Sequence, residues 1–182
     1  MSSLSAPDRF HKTLGELLDN IGLIISDLSQ NGLTTLTSLS VDAVRTYITS
    51  QDKIYLIDRF IKNSEPYWIN IKKKDDDLFV KNSDMIFGEY ANYEQFNSLK
   101  VIFTKNPQGQ SLVDDETKDS VRLFLFALIK ISIKYIFDSK NPTIEKINED
   151  GKTRTKITYK NSSYSNVDVL NHAKIWDVKL FS

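Results

Sequence analysis

Residues 114–139 read DDETKDSVRLFLFALIKISIKYIFDS, and this stretch decides the fold. Asp114, Asp115 and Glu116 favour a helix start, because anionic side chains suit the positive end of a helix dipole. Val121, Leu123, Phe124, Leu125, Phe126, Leu128, Ile129, Ile131, Ile133, Ile136 and Phe137 then almost encircle the helix. A helix apolar on most sides is usually the centre of a bundle. Lys118, Arg122, Lys130 and Lys134 form a slanted polar strip, which could meet an acidic partner and is equally explained by lysine stems lying on apolar surface with their heads in water. Val121 to Phe137 holds three cations, whereas a membrane span needs about 20 mostly uncharged residues, so no span is expected.

Upstream of this helix the pattern stays helical. Residues 1–6 read as a short loose tail. Phe10, Leu14, Leu17, Ile21, Ile24 and Leu28 recur at alternating steps of four and three, the stripe of an amphipathic helix that Asn31-Gly32 closes. A second helical stretch runs from Ser38–Ser40 to about Asn63, with a break near Thr49–Asp52. Ser64-Glu65-Pro66 opens another. Lys72-Lys73-Lys74 followed by Asp75-Asp76-Asp77 ends one helix and begins the next, the acids read as a solvated helix start. Short helices are expected around Leu78–Phe87, ended by Gly88, and from an Asn92/Gln95 capping box to Phe103. Asn106-Pro107-Gln108-Gly109 is a loop.

Downstream of Asn141 the texture changes. Thr153–Lys160 alternates weakly, and Trp176, Val178 and Leu180 alternate with Asp177, Lys179 and Phe181. Two short strands are predicted there, around a helix or turn at Val167–Ala173. A strand at Trp176–Phe181 with an open edge could accept a strand from a partner. The expected fold is therefore mainly α: a tail at 1–6, a bundle of about six helices over 7–140, and a β or irregular extension over 141–182 packed on it.

Composition limits the function. The 182 residues carry 24 basic and 24 acidic side chains and no Cys, which argues against a uniformly cationic nucleic-acid binder and excludes thiolate chemistry. His11 and His172 stand at opposite ends of the chain, outside any metal-ligand spacing, and the glycines match neither a P-loop nor a dinucleotide fingerprint. Three consecutive aspartates on a helix point about 100° apart and converge poorly on a cation. No catalytic residue, metal or cofactor is expected, and the protein is read as no enzyme. With no basic segment and apolar core at the start, and with Asn161-Ser162-Ser163 taken as an accidental glycosylation match, the chain is expected inside a cell or a particle rather than secreted.

What remains is contact with macromolecules. Tyr67, Trp68, Trp176 and Phe181 are the candidate protein contacts, against the plainer reading that large aromatics fill the core. Lys152, Arg154, Lys156 and Lys160 form a candidate basic patch on one strand face, with nucleic acid as the lesser partner. Nineteen Lys against five Arg, with 19 Ile, 13 Asn and 5 Ala, indicates an AT-rich gene.

Phe60-Ile61-Lys62-Asn63-Ser64, Tyr67-Trp68-Ile69-Asn70-Ile71, Asp75–Phe79 and Leu128–Ile136 resemble uncharacterised helical proteins of large double-stranded DNA viruses, over about residues 60–142. The resemblance implies a virus-encoded structural component, in the virion or associated with the capsid, or in the host cytoplasm, with itself or other virion proteins as partners. It carries over no functional residue. A viral apoptosis-inhibitor bundle is a weaker resemblance, implying a helix-binding groove for a host factor. Its Asn-Trp-Gly-Arg signature is missing, since Ile69 follows Trp68.

Overall fold

The computed structural model describes residues 3–82 and 97–181. The expected helical residues Met85–Phe87 with Gly88, and the Asn92/Gln95 capping box, lie outside them. The chain is mainly α-helical with one small antiparallel sheet, as the sequence predicts. It divides within the helix Asp115–Ser139 into two compact units, Met1–Ile129 and Lys130–Ser182.

The first unit begins with α1 (Ala6–Gln30), whose Ser5 hydroxyl accepts from the Asp8 amide. Phe10, Leu14, Leu17, Leu18, Ile21, Ile25 and Leu28 are buried. Ile25, not Ile24, continues the stripe. The steps 21→25→28 fit a 3.6-residue period as well as 21→24→28, so spacing alone could not choose between them. The expected break separates α2 (Ser38–Thr49) from α3 (Lys53–Ser64), where the Asp52 carboxylate accepts from the amides of Ile54 and Tyr55. A 3₁₀ turn at Glu65–Tyr67 leads into α4 (Trp68–Lys72). Lys74, at φ 58°, turns the chain into α5 (Asp76–Lys81), and α6 (Ser98–Phe103) follows. The Phe79 and Phe103 rings stack at 4.2 Å, packing α5 on α6.

The apolar stretch before Asn141 forms α7 (Asp115–Ser139). It buries one stripe rather than its whole circumference: Val121, Leu125, Leu128, Ile129, Ile133, Ile136 and Phe137 are closed to solvent. Leu123 is 68% exposed and Lys130 is exposed, while Phe124, Phe126 and Ile131 are half-buried. The polar strip is also different from the expectation. Lys118 and Arg122 are buried, because carboxylates described below meet them.

In the second unit, α7 runs into a hairpin of β1 (Pro142–Glu149) and β2 (Lys152–Tyr159), paired from Pro142↔Tyr159 to Glu149↔Lys152. Asp150 and Gly151 connect them with φ of 50° and 72°. Positive φ at both central residues is the type I′ turn whose twist matches a two-residue hairpin. Tyr159 at the base stands edge-on to Phe137, 6.3 Å away, and under the Lys140 ammonium. Gly151→Ala is expected to cost the hairpin about 1–2 kcal/mol, as an L side chain resists the left-handed region. Amide exchange across Lys146–Thr155 should speed up while α7 stays protected.

Then comes α8 (Val169–Trp176), capped by Asp168 and ended by Asp177 at φ 52°. The predicted strand at Trp176–Phe181 is absent. Trp176 closes α8, and the residues after it form no ladder. The alternation itself is real: Trp176 and Leu180 are buried while Asp177, Lys179 and Phe181 are exposed. Period-two burial reports an extended chain lying on a surface, and such a chain needs no strand partner. The strand that pairs with β2 instead precedes it, starting at Pro142, where a missing N–H does least harm.

Candidate interaction surfaces

The four aromatic candidates separate. Trp68 is fully buried in α4; its indole N–H donates to the Ser64 hydroxyl at 2.9 Å, and that hydroxyl donates to the Phe60 carbonyl at 2.6 Å. Trp176 is buried in α8, and Tyr67 is half-buried in the 3₁₀ turn. These two tryptophans serve the core. Phe181 alone is open, at 47% exposure.

Phe181 lies at the edge of a groove of about 420 Å3 within the second unit. Leu170, Ala173, Val178 and Leu180 give it an apolar floor, with Lys174 and Lys179 among the polar side chains lining it. The left-handed Asp177 lets the Val178 amide donate back to the Ala173 carbonyl at 2.9 Å, which turns the chain out of α8. Lys134 then pins the extended segment by donating to the Leu180 carbonyl at 3.0 Å, and the Phe181 ring meets Phe137 edge-on at 5.5 Å. Leu170 is also exposed; in a helix of only eight residues with Val169 beside it, spacing does not show which of the two faces outward.

The basic candidates do share a surface. Opposed residues of an antiparallel pair project on the same face. Lys152, Arg154 and Lys156 are therefore in one row, beside Glu149, Ile147 and Glu145 of β1. All three cations are exposed, and among the described residues none has a carboxylate within 4 Å. Lys160 is exposed just past β2, its amide donating to the Lys140 carbonyl at 3.1 Å.

The first unit holds a dense charge cluster. Asp76, at the start of α5, accepts from the Lys118 ammonium at 3.1 Å and from the Arg122 guanidinium. Lys118 also donates to the Ser111 hydroxyl at 2.7 Å. Arg122 further pairs with Asp119 at 2.6 Å and lies over the Phe103 ring, and Asp119 meets Lys74 at 3.0 Å. Burial pushes the Asp76 carboxyl up, but the hydrogen bonds and charges of Arg122 and Lys118 outweigh it and hold the group below 3.8. Hydrogen bonds from Lys74 and Arg122 depress Asp119 likewise. Every charge has a counter-charge, so the cluster joins α5 to α7 and leaves no base free for proton transfer. Asp76 is thus not the solvated helix start the sequence suggested. No group of three potential metal ligands occurs among the described residues, His11 is half-buried on α1, and His172 is buried in α8.

The first unit also carries a groove of about 300 Å3 between α1 and the start of α7. Leu23, Ile24, Leu28, Leu112 and Val113 line it together with Asp27 and Asp114. Leu23 is 74% exposed, and it falls off the buried stripe of α1. The Asp114 carboxylate accepts from the Thr117 amide at 2.7 Å; that bond and one from the Thr117 hydroxyl keep its pKa below the usual carboxylate value. Among the described residues, no helix is long and apolar enough to cross a membrane. Comparison with protein-family models, curated proteins and solved structures finds no match.

Proposed function

We propose that this protein works by macromolecular contact, as a structural or adaptor component without catalysis of its own. The observation that carries this reading is the groove at Phe181, where an exposed aromatic ring and the exposed Leu170 flank an apolar floor rimmed by Lys174, Lys179 and Asp177. Apolar centres with charged rims suit protein partners, the core supplying affinity and the rim orientation. An extended or helical segment with apolar residues flanked by acids matches it in charge. The viral resemblance over residues 60–142 and the AT-rich composition support a virus-encoded component of a particle.

The lesser reading is a nucleic-acid accessory protein using Lys152, Arg154 and Lys156. Glu145 and Glu149 share that face and weaken its field, which favours a protein partner.

The test is cross-linked affinity purification of the full chain from its native source, beside Phe181→Ser and Leu170→Asp. Both side chains are exposed, so far-UV circular dichroism should be unchanged. A specific co-purifying protein retained by the unaltered chain and lost with either variant is the expected result. Nuclease-sensitive capture lost instead with Lys152→Thr, Arg154→Thr, Lys156→Thr would replace this reading with the lesser one.

A further inference from the structure

The two units carry opposite charge. Residues 130–182 hold ten lysines and arginines against six acids, a net of +4; residues 1–129 hold fourteen against eighteen, a net of −4. The balance near zero over the whole chain hides this polarity. Each unit also presents a patch in which its own sign predominates. In the first, Asp27 and Asp114 stand at the apolar groove beside α1, and neither is in an ion pair among the described residues. Asp27 belongs to the last turns of α1, which contain no basic residue, so the negative end of the helix dipole adds to its potential. Asp115 and Glu116, both exposed, extend the acidic edge. In the second unit, Lys152, Arg154 and Lys156 form an exposed cationic row along β2, with Glu149 and Glu145 beside its two ends on the same face and no ion pair to it among the described residues. Successive members sit two residues apart, roughly 6.7 Å along a strand.

We propose that the acidic groove of one copy receives the Lys152–Arg154–Lys156 row of a second copy. Lysine and arginine suit this groove better than a purely apolar side chain does. Their stems lie on Leu23, Leu28 and Leu112 while their heads reach Asp27, Asp114 and the neighbouring acids. The contact joins two different surfaces, so it is head-to-tail. Each bound copy leaves one groove and one row free, and the assembly grows as an open chain or closes as a ring. A groove of about 300 Å3 and one strand row make a small contact, so association is weak, fast and salt-sensitive. The inference deepens the contact reading by naming one partner, and it uses none of the residues at Phe181.

Sedimentation velocity over a concentration series tests it. In about 20 mM salt the unaltered protein should form dimers and larger species. In 0.5 M salt the association constant should fall roughly tenfold or more, because three exposed charge pairs are screened. Two variants remove one surface each: Leu23→Lys with Asp27→Lys, at exposed helix positions, and Lys152→Thr with Arg154→Thr and Lys156→Thr, which keeps strand propensity. Each variant alone should stay monomeric. Mixed in equal amounts they should form a heterodimer that grows no further, because only one groove and one row remain intact. An unaltered protein that is monomeric at low salt, or a mixture that stays monomeric, overturns the inference. If Phe181-dependent capture persists in that case, the contact reading stands and self-association alone is refuted.

Discussion

Asp76→Ala should lower the stability of the first unit by about 3–5 kcal/mol, because it leaves a buried lysine and much of a buried arginine without their counter-charge. Lys118 is 1% exposed, and its nearest other carboxylate, Asp115, is 4.0 Å away on a solvent-exposed side chain. Arg122 keeps Asp119, so the loss falls mainly on Lys118. Asp76→Asn should cost less, since an amide oxygen can still accept one of the two donors. The destabilisation comes from stranding the cations, and this separates it from a simple loss of packing. Asp76→Ala combined with Lys118→Met and Arg122→Met should recover most of it, because buried ion pairs are often matched by apolar side chains of similar size. Urea unfolding followed by circular dichroism reads all three proteins.

The same cluster should contribute to the acid limit of the first unit. The hydrogen bonds and charges of the neighbouring cations hold the Asp76 and Asp119 carboxyls below the ordinary carboxylate range. A carboxyl with a depressed folded pKa contributes stability that is complete above its unfolded value and disappears as pH falls through the folded one. Stability should therefore be flat in this respect above about pH 4 and fall below it. Asp76→Ala should flatten part of that fall. An unchanged acid profile in Asp76→Ala would mean that other carboxyls set the limit.

How much of this was legible in the sequence depends on the range over which each signal acts. The stripe of α1, the break before Asp52, the start at Glu65-Pro66 and the full length of α7 are local patterns of period and capping, and the structure contains them. Of the hairpin, the alternation at Thr153–Lys160 predicts β2 alone: the two-residue turn at Asp150-Gly151 goes unread, and β1 mixes Pro, Asn and two Glu, so its strand character comes from its pairing with β2. The charge cluster could not be read at all. Asp76 and Lys118 are 42 residues apart, and each alone looks like a solvated helix residue. The acidic groove has the same origin: Asp27 and Asp114 become neighbours only when α1 and the start of α7 line one cleft. The even charge total concealed the polarity, because a sum over the chain discards where the charges lie.

Trp68 distinguishes the sequence reading from the structural one most sharply. As a candidate contact it would be replaceable without loss of stability; as the fully buried side chain observed, it is not. Trp68→Ala should cost about 3–5 kcal/mol, through lost burial and the cavity left where the indole packs. Trp68→Phe should cost much less. The ring volume is partly restored, and Ser64, which loses the indole N–H at 2.9 Å, still donates to the Phe60 carbonyl. A net hydrogen bond is worth about 1 kcal/mol, so the alanine variant should exceed the phenylalanine variant by roughly 2 kcal/mol or more. Unfolding by urea, read by circular dichroism, gives both numbers. If Trp68→Ala kept full stability but lost capture of a partner, the indole would belong to the surface and the core of the first unit would have to be redrawn around Ile57, Phe60 and Ile71.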